Sequence, residues 1–302
     1  MGLVLHPHRD CAGAVGQVAV WTRTHDVELV GTAADAARLG VAGASAITVV
    51  TPEELQGTTD GLIALGGDGT LLGAMRLVVD RPVPVLGVNF GRLGFLAEVE
   101  SAGLDDALTA MAEGRASTET RSCLVIDCAI GRRVAFNDAV IARVPGQGMV
   151  DATLSVGDRP YGHFRCDALI VATPMGSTAY NYAAGGPVVS PAAEGIIVTP
   201  SSPQNGINRT VVLGVAEPLS LELTPRAGRP VLELDGLVNG ELGAGDVVRV
   251  TLRPDAGLLV RLAGSVAAER SRVKLSLLDL PVLPEELREL LPADLQERLR
   301  AE

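Results

Sequence analysis

The stretch Leu62-Ile63-Ala64-Leu65-Gly66-Gly67-Asp68-Gly69-Thr70-Leu71-Leu72 carries the strongest structural signal in this chain. A short apolar run stops at glycines and resumes as an apolar, helix-compatible stretch, which predicts a strand, a tight turn and a helix beginning at Thr70. Such a junction directs backbone N–H groups and a helix N-terminus at one point, which suits an anion. The carboxylate of Asp68 does not suit a phosphate directly, so it indicates a role with a hydroxyl group or a metal ion.

Two common nucleotide-binding patterns do not fit this stretch. A P-loop needs a lysine after its last glycine, and the single lysine of the chain is Lys274. In the dinucleotide pattern G-x-G-x-x-G, Leu72 occupies the position of the third glycine and Gly73 comes one residue late. The remaining pattern, G-G-D-G-T, resembles the signature of a kinase superfamily that contains NAD kinases, diacylglycerol-type lipid kinases and, more distantly, phosphofructokinases. The alternative is a glycine-rich turn in which Asp68 merely caps the helix.

The composition limits the number of domains and the kinds of binding surface that this chain can have. The 302 residues fit one large or two ordinary domains, and a hydrophobic content of 47% is ample for a packed core. A net charge of −11 argues against a general surface for nucleic acid or for anionic membranes. It leaves room for local phosphate pockets, because Lys274 is the one lysine and 24 of the 25 basic residues are therefore arginine.

The sequence also predicts a cytoplasmic protein. No apolar run reaches the ~18–20 residues of a membrane span, and the first residues lack the pattern of a signal peptide. The cysteines at positions 11, 123, 128 and 166 form no C-x-x-C pair, which favours reduced thiols. The segment His6-Pro7-His8 could chelate a metal, but two histidines without further ligands are more typical of a loop. No metal-ligating residue is predicted.

The pattern of predicted secondary structure changes near residue 118. Short apolar runs alternate with helical stretches before that point, which predicts an α/β, Rossmann-like N-terminal domain at 1–117. Short β-like runs separated by turn residues follow, which predicts an all-β-rich C-terminal domain at 118–280. A helical tail split by Pro292 is expected at 281–302. The predicted strands lie at 2–5, 27–30, 46–50, 62–65, 83–88, 124–130, 133–136, 139–143, 152–156, 169–172, 211–215, 219–223, 231–234 and 247–252, and the predicted helices of the first part at 10–24, 33–39, from 70 and at 104–113.

A second dense motif lies at residues 167–187 and reads D-A-L-I-V-A-T-P-M-G-S-T-A-Y-N-Y-A-A-G-G-P. An apolar strand leads into small hydroxyl residues and glycine, which leave room for a ring or a ribose and supply neutral hydrogen-bond donors. A serine-nucleophile elbow, G-x-S-x-G, does not fit, because Met175 and Ala179 occupy the positions of its glycines around Ser177. The nearest histidine, His163, lies beyond a strand, so a serine hydrolase is not favoured.

The two motifs occur together with residues 89–96, Phe136-Asn137-Asp138 and Asp235-Gly236 in the order and spacing seen in bacterial NAD kinases. The resemblance covers about residues 2–280, and its most specific part is T-P-x-G-S-T-A-Y-x-x-x-A-G-G-P, which lipid kinases do not carry. It implies transfer of a phosphoryl group from ATP, or another polyphosphate donor, to the 2′-hydroxyl of the adenosine ribose of NAD, giving NADP. It also implies a divalent cation, Mg²⁺ bound with ATP, and assembly as a homodimer or homotetramer.

The same resemblance implies roles for single residues. Asp68 corresponds to the carboxylate that accepts the hydroxyl proton, and Gly69 lies against the nucleotide. Asn137 and Asp138 match a pair that holds a ribose through its hydroxyls. The other residues expected to read or line NAD are Arg165, Asp167, Thr178, Ala179, Tyr180 and Ala183.

Several positions depart from the family pattern. The departing residues are Gly73 (usually basic or polar), Gln204 (usually His), Thr210 (usually Pro), Leu237 (commonly Gln), and Cys166 and Ala168 (usually Gly). Two rival functions remain: a related kinase that acts on a lipid or another hydroxyl acceptor, and a catalytically weak NAD(P)-binding regulator. The intact Asp68 argues against the regulator. Three arginines are equally compatible with surface charges and with phosphate ligands, namely Arg92, Arg143 and Arg209.

Overall fold

The structure is a computed structural model that describes residues 1–90, 96–157 and 159–262. Arg92 and the predicted helical tail at 281–302 lie outside the described residues. No helix in the described ranges is long and apolar enough to cross a membrane.

The first part of the chain alternates strands and helices, as the sequence predicts. Its first five strands pair in parallel with one another. Its elements are β1 (Gly2–Leu5), α1 (Ala12–Thr24), β2 (Val30–Thr32), α2 (Ala33–Ala44), β3 (Thr48–Val50), α3 (Pro52–Thr58), β4 (Leu62–Gly66), α4 (Asp68–Leu77), β5 (Pro84–Asn89), β6 (Val99–Glu100), a 3₁₀ turn (Ser101–Gly103) and α5 (Leu104–Ala112).

The second part is built mainly from antiparallel strands. Its elements are β7 (Ser117–Cys128), β8 (Gly131–Ala135), β9 (Asp138–Ala142), β10 (Val150–Val156), β11 (Arg159–Cys166), β12 (Ala168–Ala172), a 3₁₀ turn (Met175–Thr178), α6 (Tyr180–Ala183), β13 (Ile196–Ser201), β14 (Asn205–Gly206), β15 (Val211–Leu213), β16 (Leu219–Leu223), β17 (Val231–Leu234), β18 (Leu237–Glu241) and β19 (Val247–Arg261).

Two sheets organise these strands. The larger runs β14-β11-β10-β16-β19-β5-β4-β1-β2-β3, and the smaller, all-antiparallel sheet runs β15-β13-β12-β9-β17-β18. The long strand β19 links the two parts of the chain, because it pairs antiparallel with β16 and β7 and parallel with β5. The predicted fold class, a parallel α/β part followed by a β-rich part, is confirmed. The domain limits at 117 and 118 stay a prediction.

The buried core has three main regions. One lies between the two sheets of the β-rich part and includes Phe164 and Leu169. The other two cover opposite faces of the parallel sheet, with Trp21 of α1 in one and Leu71 and Met75 of α4 in the other. The helix α4 is therefore fixed by its apolar side while its first turn meets the carboxyl edge of the sheet.

Some predicted boundaries are wrong for identifiable reasons. The helix α1 begins at Ala12 rather than Asp10, although the Asp10 carboxylate accepts the Ala12 N–H at 2.9 Å. The predicted strand at 27–30 begins only at Val30, because the Val27 N–H still closes α1 onto the Thr22 carbonyl at 2.9 Å. The helix α4 begins at Asp68, two residues before the predicted start.

Candidate active site

The glycine-rich turn between β4 and α4 presents Asp68 without using it as a cap. Gly67 is the N-cap residue and makes no side-chain cap bond, so the alternative in which Asp68 caps the helix is excluded. Instead Asp68 Oδ1 accepts the backbone N–H of Leu96 at 3.2 Å. Glycine is required at position 66, because a Cβ there would overlap the Thr70 hydroxyl. The turn therefore holds a half-exposed carboxylate at the start of a helix.

A cleft of about 600 Å³ opens beside this turn. The first backbone N–H groups of α4 and two arginines line it, and groups of this kind suit phosphates. Arg38 pairs with Asp35 and Arg76 with Asp235. A Cβ at Gly73 would contact only Arg76 Nη2, at 3.8 Å. A larger residue would therefore fit at position 73, and glycine there is not required to avoid a clash. The lining residues are Val4, Leu5, His6, Pro7, Arg38, Gly67, Gly69, Thr70, Gly73, Arg76, Leu77, Asp235 and Leu237.

The histidine in this lining acts as a neutral group. Burial, then the charges of Arg9, His8 and Arg38, lower the pKa of His6. Its Nδ1 accepts the backbone N–H groups of His8 at 3.0 Å and Arg9 at 3.1 Å, so the proton lies on Nε2. The described residues contain no group of three or more His, Cys, Asp or Glu side chains that could hold a metal ion by themselves.

Asp235 connects the first helix of the site to the β-rich part. Its buried carboxylate accepts the backbone N–H groups of Phe136 at 3.2 Å, Asn137 at 2.7 Å and Asp138 at 3.3 Å. The same carboxylate pairs with Arg76, two turns after Asp68 on α4. Because one side chain fixes three consecutive N–H groups and also an arginine of α4, Asp235 sets the distance between the glycine-rich turn and the 136–138 turn.

The second motif packs directly against the 136–138 turn. Thr173 donates its N–H to the Asn137 carbonyl at 2.9 Å and its hydroxyl to the Phe136 carbonyl at 2.6 Å. A Cβ at Gly176 would overlap the Asn137 carbonyl oxygen, so glycine is required for this close approach. Asp138 lies opposite Ala172 at the end of β12. The start of β9 and the end of β12 are neighbours in the smaller sheet, and the predicted site residues that lie there are Asn137, Asp138, Thr178, Ala179, Tyr180 and Ala183.

Asp138 is an unusual carboxylate within this group. Burial, and then the negative charge of Asp235, raise its pKa to about 7, although the backbone N–H of Tyr180 favours the ionised form. The pKa of an exposed aspartate is about 3.9. The Asp138 carboxyl therefore changes charge near neutral pH.

This raised pKa predicts a pH dependence of substrate binding. If ionised Asp138 accepts hydrogen bonds from ribose hydroxyls, the KM for the dinucleotide should fall about tenfold from pH 6 to pH 8, because a group with a pKa near 7 is about one-tenth ionised at the first pH and nine-tenths at the second. The Asp138→Asn variant should have a raised KM that no longer varies with pH over this range. Initial rates with saturating donor measure both.

The stability of the same variant provides the control. A folded-state pKa raised from 3.8 to about 7 means that the wild-type chain loses stability as the pH rises between those values. The Asp138→Asn chain lacks this loss, so its thermal midpoint at pH 8 should equal or exceed that of the wild type. A variant that is much less stable, with an unchanged KM, would make Asp138 a structural residue of the turn.

Two predicted residues do not join this group. Arg165 lies one residue before the end of β11 and pairs with Asp151 at 3.0 Å. Asp167 precedes β12 and pairs with Arg143 at 2.6 Å. Asp138 pairs with Ala172 at the other end of β12. At roughly 3.3 Å per residue, about 16 Å of strand therefore separates Asp167 from the level of Asp138. Within one chain, Arg165 and Asp167 therefore lie at the opposite end of the β12 strand from Asp138.

The departing positions divide between these two regions. Gln204 donates its backbone N–H to the Arg165 carbonyl at 2.8 Å, and the Thr210 hydroxyl lies 3.0 Å from the Thr199 hydroxyl. Leu237 lines the cleft beside the glycine-rich turn and is 58% exposed. Arg76 was not among the predicted site residues, and Asp235 was noted only as part of Asp235-Gly236, because no local pattern marks a contact between such distant parts of the chain.

Comparison with protein-family models gives two matches. Residues 19–116 match the ATP-NAD kinase N-terminal domain, and residues 136–262 match the ATP-NAD kinase C-terminal domain. The first match contains the glycine-rich turn, and the second contains the 136–138 turn, the 167–187 motif and Asp235.

Curated proteins give consistent matches. The NAD kinase of Symbiobacterium thermophilum is 41% identical over 225 residues, which are 73% of this chain and 80% of that protein. The NAD kinase of Geobacter metallireducens is 36% identical over 245 residues, covering 80% of this chain and 84% of that protein. NAD kinase 1 of Streptomyces avermitilis is 35% identical over 263 residues, covering 74% of each.

Solved structures share the fold. Yeast NADH kinase complexed with NADH aligns with a TM-score of 0.80 at 21% identity, over 93% of this chain and 87% of that one. The NAD kinase from Archaeoglobus fulgidus in complex with ATP aligns with a TM-score of 0.66 at 24% identity, over 91% of this chain and 97% of that one. At these identities the likeness is evidence for the fold.

Proposed function

Since the chain belongs to the ATP-NAD kinase family, we propose that Asp68 is the base of its reaction and that the 136–138 turn holds the acceptor ribose. The reaction is the ATP-dependent phosphorylation of NAD to NADP. The observation that carries the proposal is the position of Asp68: a carboxylate at the first residue of α4, not used as a cap, beside a cleft lined by the start of that helix and by two arginines.

The proposed reaction moves a proton from the 2′-hydroxyl of NAD to Asp68 and the terminal phosphoryl group of ATP to the hydroxyl oxygen. Asn137 and ionised Asp138 hold the ribose hydroxyls of NAD, and Asp68 accepts the proton of the 2′-hydroxyl. The hydroxyl oxygen bonds to the terminal phosphorus of ATP, and the bond from that phosphorus to its bridging oxygen breaks, which releases ADP. In phosphoryl transfer the protein mainly positions and neutralises the reactants, so one base and a fixed acceptor are sufficient side-chain chemistry.

The cleft beside α4 is the proposed donor site. The first N–H groups of α4, with Arg38 and Arg76, would face the phosphates of ATP. Mg²⁺ bound with ATP would neutralise charge on the transferring group. The oxygen that fits such a cation is the Thr70 hydroxyl: Thr70 lines the cleft, and its Oγ1 is buried and has no hydrogen-bond partner among the described residues.

The assay that tests this function is NADP formation from NAD. Purified protein with Mg²⁺ is supplied with ATP, with inorganic polyphosphate or with neither, and a diacylglycerol acceptor replaces NAD in a parallel reaction. We expect NADP with ATP and none without a donor. The polyphosphate reaction shows whether polyphosphate also serves as a phosphoryl donor, which the sequence left open. Phosphorylation of the lipid without NADP would favour the lipid-kinase alternative, and NAD binding without turnover would favour the regulator.

The Arg76→Lys variant tests the connection between the donor and acceptor sides. Lysine keeps the positive charge but cannot reproduce the planar contact with Asp235. Loss of one such hydrogen bond should raise the KM for NAD about 2- to 12-fold, because the 136–138 turn is then held less firmly. Steady-state kinetics measure the change. The matched control is Arg115→Lys, in an exposed pair with Glu113, which should leave KM unchanged.

The assembly and location remain proposals of the same kind. We propose a homodimer or homotetramer, to be measured by sedimentation equilibrium, and a cytoplasmic location. Support for a reducing compartment comes from the cysteines, all four of which are free. Burial raises the pKa of Cys123 and of Cys166 to about 12, which keeps both as unreactive thiols.

A further inference from the structure

A buried ion pair joins the end of β19 to the segment that follows β5. Arg261 Nη1 lies 2.9 Å from Glu98 Oε2, and the two side chains are 5% and 0% exposed. The backbone N–H of Leu262 donates to Glu98 Oε1 at 2.8 Å, and Arg261 Nε donates to Glu119 Oε2 at 2.8 Å. Burial raises the pKa of Glu119, but hydrogen bonds from Arg121 and Arg261 outweigh it and hold that pKa at about 2. The Arg261 guanidinium is thus held between the carboxylates of Glu98 and Glu119.

The same guanidinium reaches the backbone next to the proposed base. Arg261 Nη1 donates to the Leu96 carbonyl at 3.1 Å, and the Leu96 N–H donates to Asp68 Oδ1 at 3.2 Å. The Glu98 N–H donates to the Gly87 carbonyl at 2.9 Å, which ties this segment to β5. A Cβ at Gly87 would lie only 3.0 Å from the Ala97 Cα, so the segment is also tightly packed.

We propose that Arg261 is a positioning residue for phosphoryl transfer: it fixes the segment 96–98, so that the Leu96 N–H orients the Asp68 carboxylate towards the acceptor hydroxyl. This inference rests on the proposed function of Asp68. Stability alone does not account for the pair, because a buried ion pair usually contributes no more than apolar side chains of the same volume. Arg261 Nη2 is also buried without a hydrogen-bond partner among the described residues, which adds to the cost of burying this side chain.

The Arg261→Lys variant tests the proposal. Lysine keeps a charge opposite Glu98 but has a single nitrogen, so it cannot reproduce the separate contacts of Arg261 Nη1 with Leu96 and Glu98 and of Nε with Glu119. We expect kcat to fall about 2- to 12-fold, the effect of one misplaced hydrogen bond, with the KM values for NAD and ATP unchanged. The control on the same strand is Arg253→Lys, in an exposed pair with Asp80 at 3.4 Å, which should leave kcat unchanged.

A double-mutant cycle separates positioning from general damage. In the Asp68→Asn background the orientation of the carboxylate no longer matters, so Arg261→Lys should have no further effect on kcat. Equal fold-losses in both backgrounds would overturn the proposal, as would an unchanged kcat in the single variant. If Asp68→Asn itself kept the full rate, the proposed base would be wrong, which is a different result from failure of the positioning role.

A second variant covers the case in which Arg261→Lys does not fold. The double variant Arg261→Gln/Glu98→Gln removes both charges, so no buried charge is left unpaired. We expect it to fold and to show the same loss of kcat, confined to the background that retains Asp68. A folded double variant with the wild-type kcat would overturn the proposal.

Discussion

The Asp68→Asn variant is expected to lose about 10²- to 10⁴-fold in kcat, the usual contribution of a general base. Asparagine has nearly the same shape and still accepts the Leu96 N–H, so the turn between β4 and α4 keeps its geometry. The KM values for NAD and ATP should change little, because the lost interaction is made as the proton moves. Single-turnover rates and equilibrium binding of NAD measure the two effects separately.

A matched control distinguishes the base from a helix-end charge. Asp105 stands in the first turn of α5, is exposed, and has the same favourable position relative to the helix dipole. Asp105→Asn should cost a similar small amount of stability and no activity. Near wild-type turnover in Asp68→Asn would remove Asp68 from the mechanism and leave the glycine-rich turn with a structural role only.

The fold was predictable where a local pattern determines an element. Leu62–Gly66 is an apolar run that ends in glycine, and it forms β4 as predicted. The helix α3 was missed, although Thr51 and Glu54 form a capping box that the sequence shows. The strand β13 was not predicted, and it contains Pro200, a residue that is unusual inside a paired strand. Its pairing with β15 stops at Val198, so the proline lies where that side of β13 has no partner strand in the described chain.

The candidate site was predictable where one motif contains both the turn and the side chain. Asp68 stands in the glycine-rich motif, and Asn137 and Asp138 were expected from the resemblance to bacterial NAD kinases; the roles of all three stay predictions. The residues that set distances between motifs gave no local signal, because their partners are far apart in the sequence: Arg76 and Asp235 are separated by 159 positions, and Arg261 and Glu98 by 163. The sequence therefore predicts the groups proposed to touch substrate better than the groups that hold them in place.

Asp167→Ala is expected to raise the KM for NAD by roughly 10- to 100-fold, with a much smaller change in the KM for ATP. A carboxylate would repel phosphates, but it can accept hydrogen bonds from the carboxamide or exocyclic amine of NAD, and hydrogen bonds to charged groups contribute about 1.5–3 kcal/mol. Asp167 is 39% exposed and pairs with Arg143, so its removal should cost little stability. The matched control is Asp80→Ala, in the exposed pair with Arg253, which should leave both KM values unchanged.

The position of Asp167 adds a second experiment to this prediction. Asp167 and Asp138 lie at opposite ends of β12. If Asp167 binds NAD, either the NAD bound to its own chain extends along the smaller sheet, or Asp167 reaches the NAD bound to a neighbouring copy in the proposed oligomer. Mixed oligomers of Asp68→Asn and Asp167→Ala chains separate the two cases. If Asp167 acts on a neighbouring copy, one site of each mixed pair combines an intact Asp68 with an intact Asp167, and turnover with the wild-type KM for NAD returns. If it acts within its own chain, no mixed site has both carboxylates and the high KM persists. An Asp167→Ala homo-oligomer with unchanged KM would show that the Asp167 carboxylate faces away from NAD in either arrangement.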